Sequence, residues 1–264
     1  MNFSIDLFSS NLFLRRAALA FAACFMVAAL VLCGGLHTAG AAENTAATAS
    51  GEPDAARVRD VMTQAQKLYD MREFEQSRKM VEDLAEEGSS AAMFAMALME
   101  ARGNGNKENK PDFAKARVWW EKAAAKGHVE SMYNLGLVYY RGVQDGGDGS
   151  DSSKQNFALA REWWTKAADQ GHLRAVYSLA GMARTGEGQP KNFEEAFKWY
   201  LMAAEAGHSD SQFQVGSMYL NGKGVEKNHE EAVKWMQKAA QGKHPGAVNA
   251  LRLMKMQQPQ AKTN

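Results

Sequence analysis

The sequence predicts an all-α solenoid of about five helix pairs, followed by one capping helix at the C-terminus. Two observations lead to this fold class. A motif built around Ala-Ala and ending in Gly recurs at Gly127, Gly171, Gly207 and Gly242, at intervals of 44, 36 and 35 residues. Between these glycines, apolar residues recur every three or four positions, as they do on one face of an α-helix. A period of this length with helical content is typical of stacked helix pairs.

The second helix of each pair is predicted to end at the recurring glycine, because a left-handed residue commonly terminates a helix. The face that it turns to the core carries Phe, Ala and Trp at three-residue spacings, for example Phe157, Ala160 and Trp163. This helical register predicts that the tryptophans are core residues. A platform for a sugar ligand is the alternative role for them.

The first helix of each pair follows the glycine and has its own pattern. Counting from that glycine, position four is small, position six is aromatic and position nine is Ala or Gly. Because Gly inside a helix costs about 1 kcal/mol relative to Ala, its recurrence at position nine predicts close approach of the partner helix. His128, His172 and His208 at position one are predicted to be helix-start residues. Stacked repeats would hold them roughly 10 Å apart or more, which is too far to share a metal ion.

The repeat pattern also sets the predicted domain boundaries. A degenerate first repeat is predicted over residues 54–88. The solenoid follows over residues 89–257, and its units are 89–127, 128–171, 172–207, 208–242 and a cap over 243–257. In the cap, the residues predicted to face the core are Ala247, Val248, Leu251 and Met254. Those predicted to face solvent are Arg252 and Lys255. A charged outer face on the last helix would end the apolar stack.

Three polar segments are predicted to be flexible: the linker 42–53, the insertion 142–155 and a disordered tail over 258–264. The insertion contains Asp145, Asp148 and Asp151, whose carboxylates are possible calcium ligands. However, their spacing of three lacks the alternate positions and terminal Glu of a helix-loop-helix calcium site. A flexible insertion is therefore the preferred interpretation.

Residues 1–41 are predicted to be a secretory signal peptide. A positive flank ending at Arg16 precedes an uncharged apolar run over 17–36, and the small residues 39–42 give a cleavage pattern. The run is long enough to span a bilayer, so an uncleaved N-terminal anchor is the competing interpretation. A lipoprotein modified at Cys24 is a third interpretation, and the residues before Cys24 fit it less well. All three predict export, either to the periplasm or to the outer side of the inner membrane with the repeats outside the cytoplasm.

Composition excludes several other classes of protein. A hydrophobic content of 45% excludes a disordered chain, and a formal net charge of +1 gives no basic footprint for nucleic acid. Cys24 and Cys33 both lie in the predicted signal, so the exported part has no disulfide. The sequence contains no phosphate loop, nucleophile elbow or H-E-x-x-H motif. We therefore predict a non-enzymatic protein without cofactor or metal.

The repeated pattern resembles the SEL-one-like repeat (SLR), a relative of the tetratricopeptide repeat, most strongly over residues 89–242. The matching residues of one unit are Ser131, Leu135, Gly136, Tyr139, Gly142, Ala160, Trp163, Trp164, Lys166, Ala167, Ala168 and Gly171. The resemblance implies a right-handed α/α superhelix whose concave face binds other proteins. A cysteine-rich branch of this family has been linked to β-lactamase-like activity, but this chain has no cysteine after Cys33 and no S-x-x-K motif.

By analogy with the related repeat, the partner groove is predicted to be lined by the first helices, at Tyr133, Leu137, Tyr140, Arg141, Tyr177, Arg184, Phe213 and Leu220. Aromatic residues and Arg concentrate binding energy at interfaces, although half of these aromatics could instead be buried. The predicted function is an exported scaffold or adaptor of the bacterial cell envelope that binds another envelope protein. A non-enzymatic module for peptidoglycan or another envelope glycan is the alternative, followed by a hydrolase of cell wall or β-lactams.

Overall fold

The computed structural model describes residues 52–143 and 155–257. The predicted signal peptide and tail, nearly all of the linker and the centre of the insertion lie outside these residues. The described part contains eleven α-helices and no strand. They are α1 Ala55–Asp70, α2 Phe74–Glu86, α3 Ser90–Arg102, α4 Phe113–Ala125, α5 Val129–Arg141, α6 Phe157–Ala168, α7 Leu173–Thr185, α8 Phe193–Glu205, α9 Ser209–Asn221, α10 His229–Gln241 and α11 Pro245–Gln257.

The helices pack in the order in which they occur in the chain. Each one contacts mainly the helices before and after it, and the contacts are most extensive within the pairs α3–α4, α5–α6, α7–α8 and α9–α10. Since each pair buries its apolar face against its neighbours, the hydrophobic core runs along the stack. The predicted all-α solenoid of helix pairs is confirmed.

A repeated polar residue fixes the geometry inside each pair. Asp112, Asn156, Asn192 and Asn228 stand at the N-terminus of the second helix, and the side chain of each accepts a hydrogen bond from a backbone N–H of that helix. Their own backbone N–H groups donate to a carbonyl near the end of the first helix, at N···O distances of 2.8 to 2.9 Å. The turn is therefore held at both ends.

The small residue at position nine permits the close contact within a pair, as the sequence predicted. A methyl group added to Gly136 would overlap the indole ring of Trp164. That indole is buried, and its Nε1 donates to the carbonyl oxygen of Tyr133 at 3.1 Å. Trp120 and Trp235 are also buried in the core. The remaining tryptophans, Trp119, Trp163 and Trp199, are half-buried and pack against it.

The capping helix α11 corrects one prediction. Ala247 is buried and Leu251 packs on the core, but the side chain of Val248 is 52% exposed rather than inward. The equivalent residues of the preceding units, for example Met132, are buried. In α11 no second helix follows among the described residues, and so Val248 remains uncovered. Arg252 is exposed, as predicted, and with His244 counted as position one it stands at position nine, where the other units have Ala or Gly.

Candidate protein-binding face

The first helices α3, α5, α7 and α9 leave one face accessible along the stack. The structure places the eight residues of the predicted groove at three levels of burial. Tyr133 is buried, with 7% exposure. Arg184 is exposed, and the half-buried residues are Leu137, Tyr140, Arg141, Tyr177, Phe213 and Leu220.

The aromatic residues at position six contact a histidine of the next repeat. The ring centroids of Tyr133 and His172 are 4.6 Å apart, with 28° between the ring planes. The same contact recurs in Phe94–His128 at 4.7 Å, Tyr177–His208 at 5.3 Å and Phe213–His244 at 4.4 Å. The position-six aromatics of the predicted groove therefore help to join neighbouring repeats.

Each of these histidines also begins a first helix, as the sequence predicted for His128, His172 and His208. The ring Nδ1 accepts a hydrogen bond from the backbone N–H three residues later, for example from Ala175 to His172 at 3.1 Å. His244 makes the same bond with Ala247. An Nδ1 that accepts this bond must be unprotonated. The pattern therefore fixes the ring tautomer as well as the start of the helix.

Burial and nearby charges modify the titration of these groups. Burial lowers the pKa of His128 and of His208 below the ordinary histidine value, although Glu130 and Asp210 respectively oppose the shift. Burial alone would raise the pKa of Glu130. The hydrogen bond that Glu130 accepts from His172 Nε2, at 3.0 Å, and the nearby charge of Arg174 nevertheless bring the pKa of Glu130 below its usual value.

Tyr140 links two repeats through its hydroxyl. Its ring packs on Phe157 and Trp164, and its hydroxyl donates to Glu187 Oε2 at 2.9 Å. Burial, followed by the hydrogen bond to Glu187, raises the pKa of Tyr140 to about 12. Arg184, in the next first helix, donates from Nε to the hydroxyl of Tyr200 at 3.4 Å. Arg184 thus lies on the accessible face, and the Tyr200 hydroxyl accepts a hydrogen bond from its Nε.

The predicted groove therefore divides into two sets. Tyr133, Tyr177 and Phe213 lie against a histidine of the next repeat. The other set lies nearer the C-terminal ends of the first helices and comprises Leu137, Tyr140, Arg141, Arg184 and Leu220. The charged residues at position three, Glu130, Arg174 and Asp210, were not predicted from the sequence, although they lie on the same helices and alternate in sign. Their recurrence at one position was the signal that could have identified them. A binding role for the predicted residues stays a prediction.

The repeat pattern identifies the family. A family model for the Sel1 repeat matches residues 90–128, 129–172, 173–208 and 209–244, which together make up more than half of the chain. The chain belongs to the Sel1 repeat family. The resemblance stated from the sequence is thereby confirmed, and proteins of this family are generally scaffolds for protein interactions.

Two solved structures show the same repeat architecture. The protective antigen c5321 of uropathogenic Escherichia coli, which has an SLR fold, is 30% identical, and the match covers 67% of this chain and 36% of that one with a TM-score of 0.60. A Sel1 repeat protein from Oxalobacter formigenes is 26% identical, with coverage of 69% and 50% and a TM-score of 0.59. The chain thus spans half or less of the length of these relatives. No curated protein matches it.

Residues 52–143 and 155–257 contain no group of three His, Cys, Asp or Glu side chains that could hold a metal ion. In the same residues, no helix combines the length and apolar character needed to cross a membrane.

Proposed function

We propose that this protein is an exported scaffold of the bacterial envelope that binds another envelope protein on the accessible face of α5, α7 and α9. The observation that carries the proposal is that Arg141, Arg184 and Leu220 lie on the accessible face of helices joined by contacts between repeats. Arg and apolar side chains together supply charge-assisted hydrogen bonds and buried area to a protein interface. The binding is non-enzymatic.

Contacts between the repeats support the proposal. They restrict the side chains of this face before binding, and ordering flexible side chains on binding costs free energy. The Tyr140–Glu187 hydrogen bond, the stacked rings of Tyr133 and His172 and the tilted ring contact of Tyr177 with His208 join the repeats that present these residues. A partner segment that extends along the stack would therefore meet side chains already in place.

The test is affinity capture from cells in which the tagged protein has been crosslinked to its neighbours. The double variant Arg184→Ala/Leu220→Ala removes one charged and one apolar group from the face. Arg59→Ala, at an exposed arginine of α1, is the matched control. We expect the wild type and the control to capture the same envelope protein. The double variant should fail to capture it.

Equal capture by the double variant would contradict the role of this face. If the purified protein instead sediments with peptidoglycan and crosslinks to no protein, the glycan-binding alternative replaces the scaffold.

Export is proposed from the charged flank, apolar run and small residues of segment 1–41. The mass of the protein purified from its native cells tests this proposal. A chain that begins at residue 42 or 43 supports cleavage, and an intact chain in the inner membrane supports the anchor. An intact chain found only in the cytoplasm would overturn export.

A further inference from the structure

The junction between α2 and α3 differs from the later junctions in the repeat pattern. Glu100 stands at position twelve, counted from the glycine before α3. The residues at this position in α5, α7 and α9 are Tyr139, Ala183 and Tyr219. Glu100 faces Arg78 of α2. In the junction of the fourth and fifth units, the equivalent residues are Phe197 and Tyr219, whose rings meet edge to face at 5.2 Å. An apolar pair can therefore fill this place, and the first junction holds a charged pair instead.

The carboxylate of this charged pair is buried, and 17% of the Arg78 side chain is exposed. The side chain of Glu100 is 2% exposed, and its Oε1 accepts a hydrogen bond from Arg78 Nη2 at 2.6 Å. Moving two charges out of water costs free energy that their attraction only partly offsets, so such a pair is weak evidence for a stabilising role. Its presence in place of an apolar pair requires another explanation, and binding of a ligand provides one.

The turn that follows α3 is also longer than the turns that follow α7 and α9. It has ten residues, 103–112, compared with seven in each of 186–192 and 222–228. Asn106 braces the longer turn, because its Nδ2 donates to the carbonyl oxygen of Lys110 at 2.7 Å and its Oδ1 accepts from the Lys110 N–H at 3.2 Å. Asn106 Nδ2 also lies 3.3 Å from Glu100 Oε2. The longer turn is thereby tied to the buried carboxylate.

Between α2 and this turn lies an open cleft of about 710 Å³, which we name the first-junction cleft; its lining includes Arg78, Glu100, Asn106 and Lys110. Its size is typical of small-ligand sites, which have volumes of roughly 300–1,000 Å³. Arg78 Nη1 is buried, and no acceptor among the described residues reaches it. A buried guanidinium nitrogen without an acceptor is costly. A ligand oxygen in the cleft would satisfy it.

We propose that the first-junction cleft binds a carboxylate group, which accepts a hydrogen bond from Arg78 Nη1 while Nη2 remains on Glu100. A guanidinium presents a planar fork of donors that matches carboxylate oxygens. The ionisable residues of the lining are balanced in charge, because Glu82, Glu100, Glu108 and Asp112 are matched by Arg78, Lys107, Lys110 and Lys115. The cleft therefore offers no excess of positive charge for a doubly charged anion such as phosphate. The carboxylate belongs either to a small free acid or to the C-terminus of a protein, and the test distinguishes these sources.

Calorimetric titration of the purified chain tests the proposal with four probes. They are N-acetylglycine, its amide, inorganic phosphate and a hexapeptide with a free C-terminus. The proposal expects saturable binding of N-acetylglycine and at least about tenfold weaker binding of the amide and of phosphate, since one charged hydrogen bond changes affinity by about this factor or more. A hexapeptide that binds tighter than N-acetylglycine identifies a protein C-terminus as the source. If it binds no tighter, the source is a small acid.

The variant Arg78→Met/Glu100→Met removes both buried charges together, so that neither is left without a partner. It is expected to keep the thermal unfolding midpoint of the wild type and to lose binding of N-acetylglycine. Arg161→Met alters the equivalent arginine of a later unit, which pairs with Glu195 at 3.8 Å, and it is expected to bind as the wild type does. The proposal is overturned if the wild type does not bind N-acetylglycine, if phosphate binds equally well, or if the folded double variant retains the affinity. The result does not depend on partner capture by the face of α5, α7 and α9.

Discussion

The ring of Tyr133 stacks on the ring of His172, with the centroids 4.6 Å apart, although the two residues belong to neighbouring repeats. His172 also begins α7 by accepting a hydrogen bond from the backbone N–H of Ala175. One side chain therefore starts a helix and contacts the preceding repeat. Since a ring contact of this kind recurs in four junctions, the start of α5, α7, α9 and α11 and the stacking of each on the preceding repeat depend on the same histidine.

Truncation of Tyr133 tests the importance of this contact for stability. Tyr133→Ala is expected to lower the free energy of unfolding by about 3 kcal/mol, because it removes a buried aromatic ring and leaves a cavity. Tyr133→Phe is the control and should change it little, since Phe94 and Phe213 occupy this position in other repeats. Urea denaturation followed by circular dichroism measures both. Equal stability of the wild type and Tyr133→Ala would show that the stack contributes nothing.

Stability should fall in mild acid through His128 and His208. Burial lowers the pKa of both in the folded protein, below about 6.5 in the unfolded chain. Their contribution to stability is therefore fully present above pH ~6.5 and is lost as the pH falls through the folded-state pKa values. A protonated Nδ1 can no longer accept the helix-start hydrogen bond.

The measurement is the free energy of unfolding at pH 7.5 and pH 5.0. His208→Asn should reduce the difference between the two values, because Asn begins helices well and does not titrate in this range. His229→Asn, at an exposed histidine, is the control and should leave the difference unchanged. If the two variants behave alike, the acid sensitivity does not arise from His208.

Two helix glycines should respond oppositely to the same substitution. Gly136→Ala is expected to destabilise the protein, by roughly 1–3 kcal/mol as overpacking does, because the new methyl group would overlap Trp164. Gly181→Ala should stabilise it by up to about 1 kcal/mol, since Ala is favoured in helices. The nearest atom to the new methyl group at Gly181 is the Tyr200 hydroxyl, 4.0 Å away. Thermal unfolding of both variants gives the comparison, and a shift in the same direction would contradict the packing described for α5 and α6.

Removal of the Tyr140 hydroxyl should weaken the link to the next repeat. Tyr140→Phe is expected to cost about 1 kcal/mol, the usual net contribution of a hydrogen bond. Faster amide hydrogen exchange near Glu187 would locate the effect. Tyr219→Phe is the control, because no hydrogen bond of the Tyr219 hydroxyl is found within the described residues. A loss of the same size in both variants would show that the bond to Glu187 is not the cause.

The sequence was sufficient to predict the helix pairs, because their periods and terminal glycines are local signals. It also predicted the helix-start role of His128, His172 and His208. It could not show that Tyr133 lies against His172, since that contact depends on how one repeat is offset from the next. The Arg78–Glu100 pair was missed for a similar reason: a charged pair in a helix pattern normally indicates a solvated face. Val248 was misassigned because its burial requires a helix that does not follow it in the described chain.

The accessible face of the first helices is the central claim, and site-specific photo-crosslinking in cells tests it most directly. A photoreactive amino acid is placed at position 141 or 184 on this face, and at position 59 or 198 as exposed controls on α1 and α8. We predict that positions 141 and 184 form an adduct with the same envelope protein and that positions 59 and 198 form none. Adducts from the controls alone, or no protein adduct at any of the four positions, would contradict it.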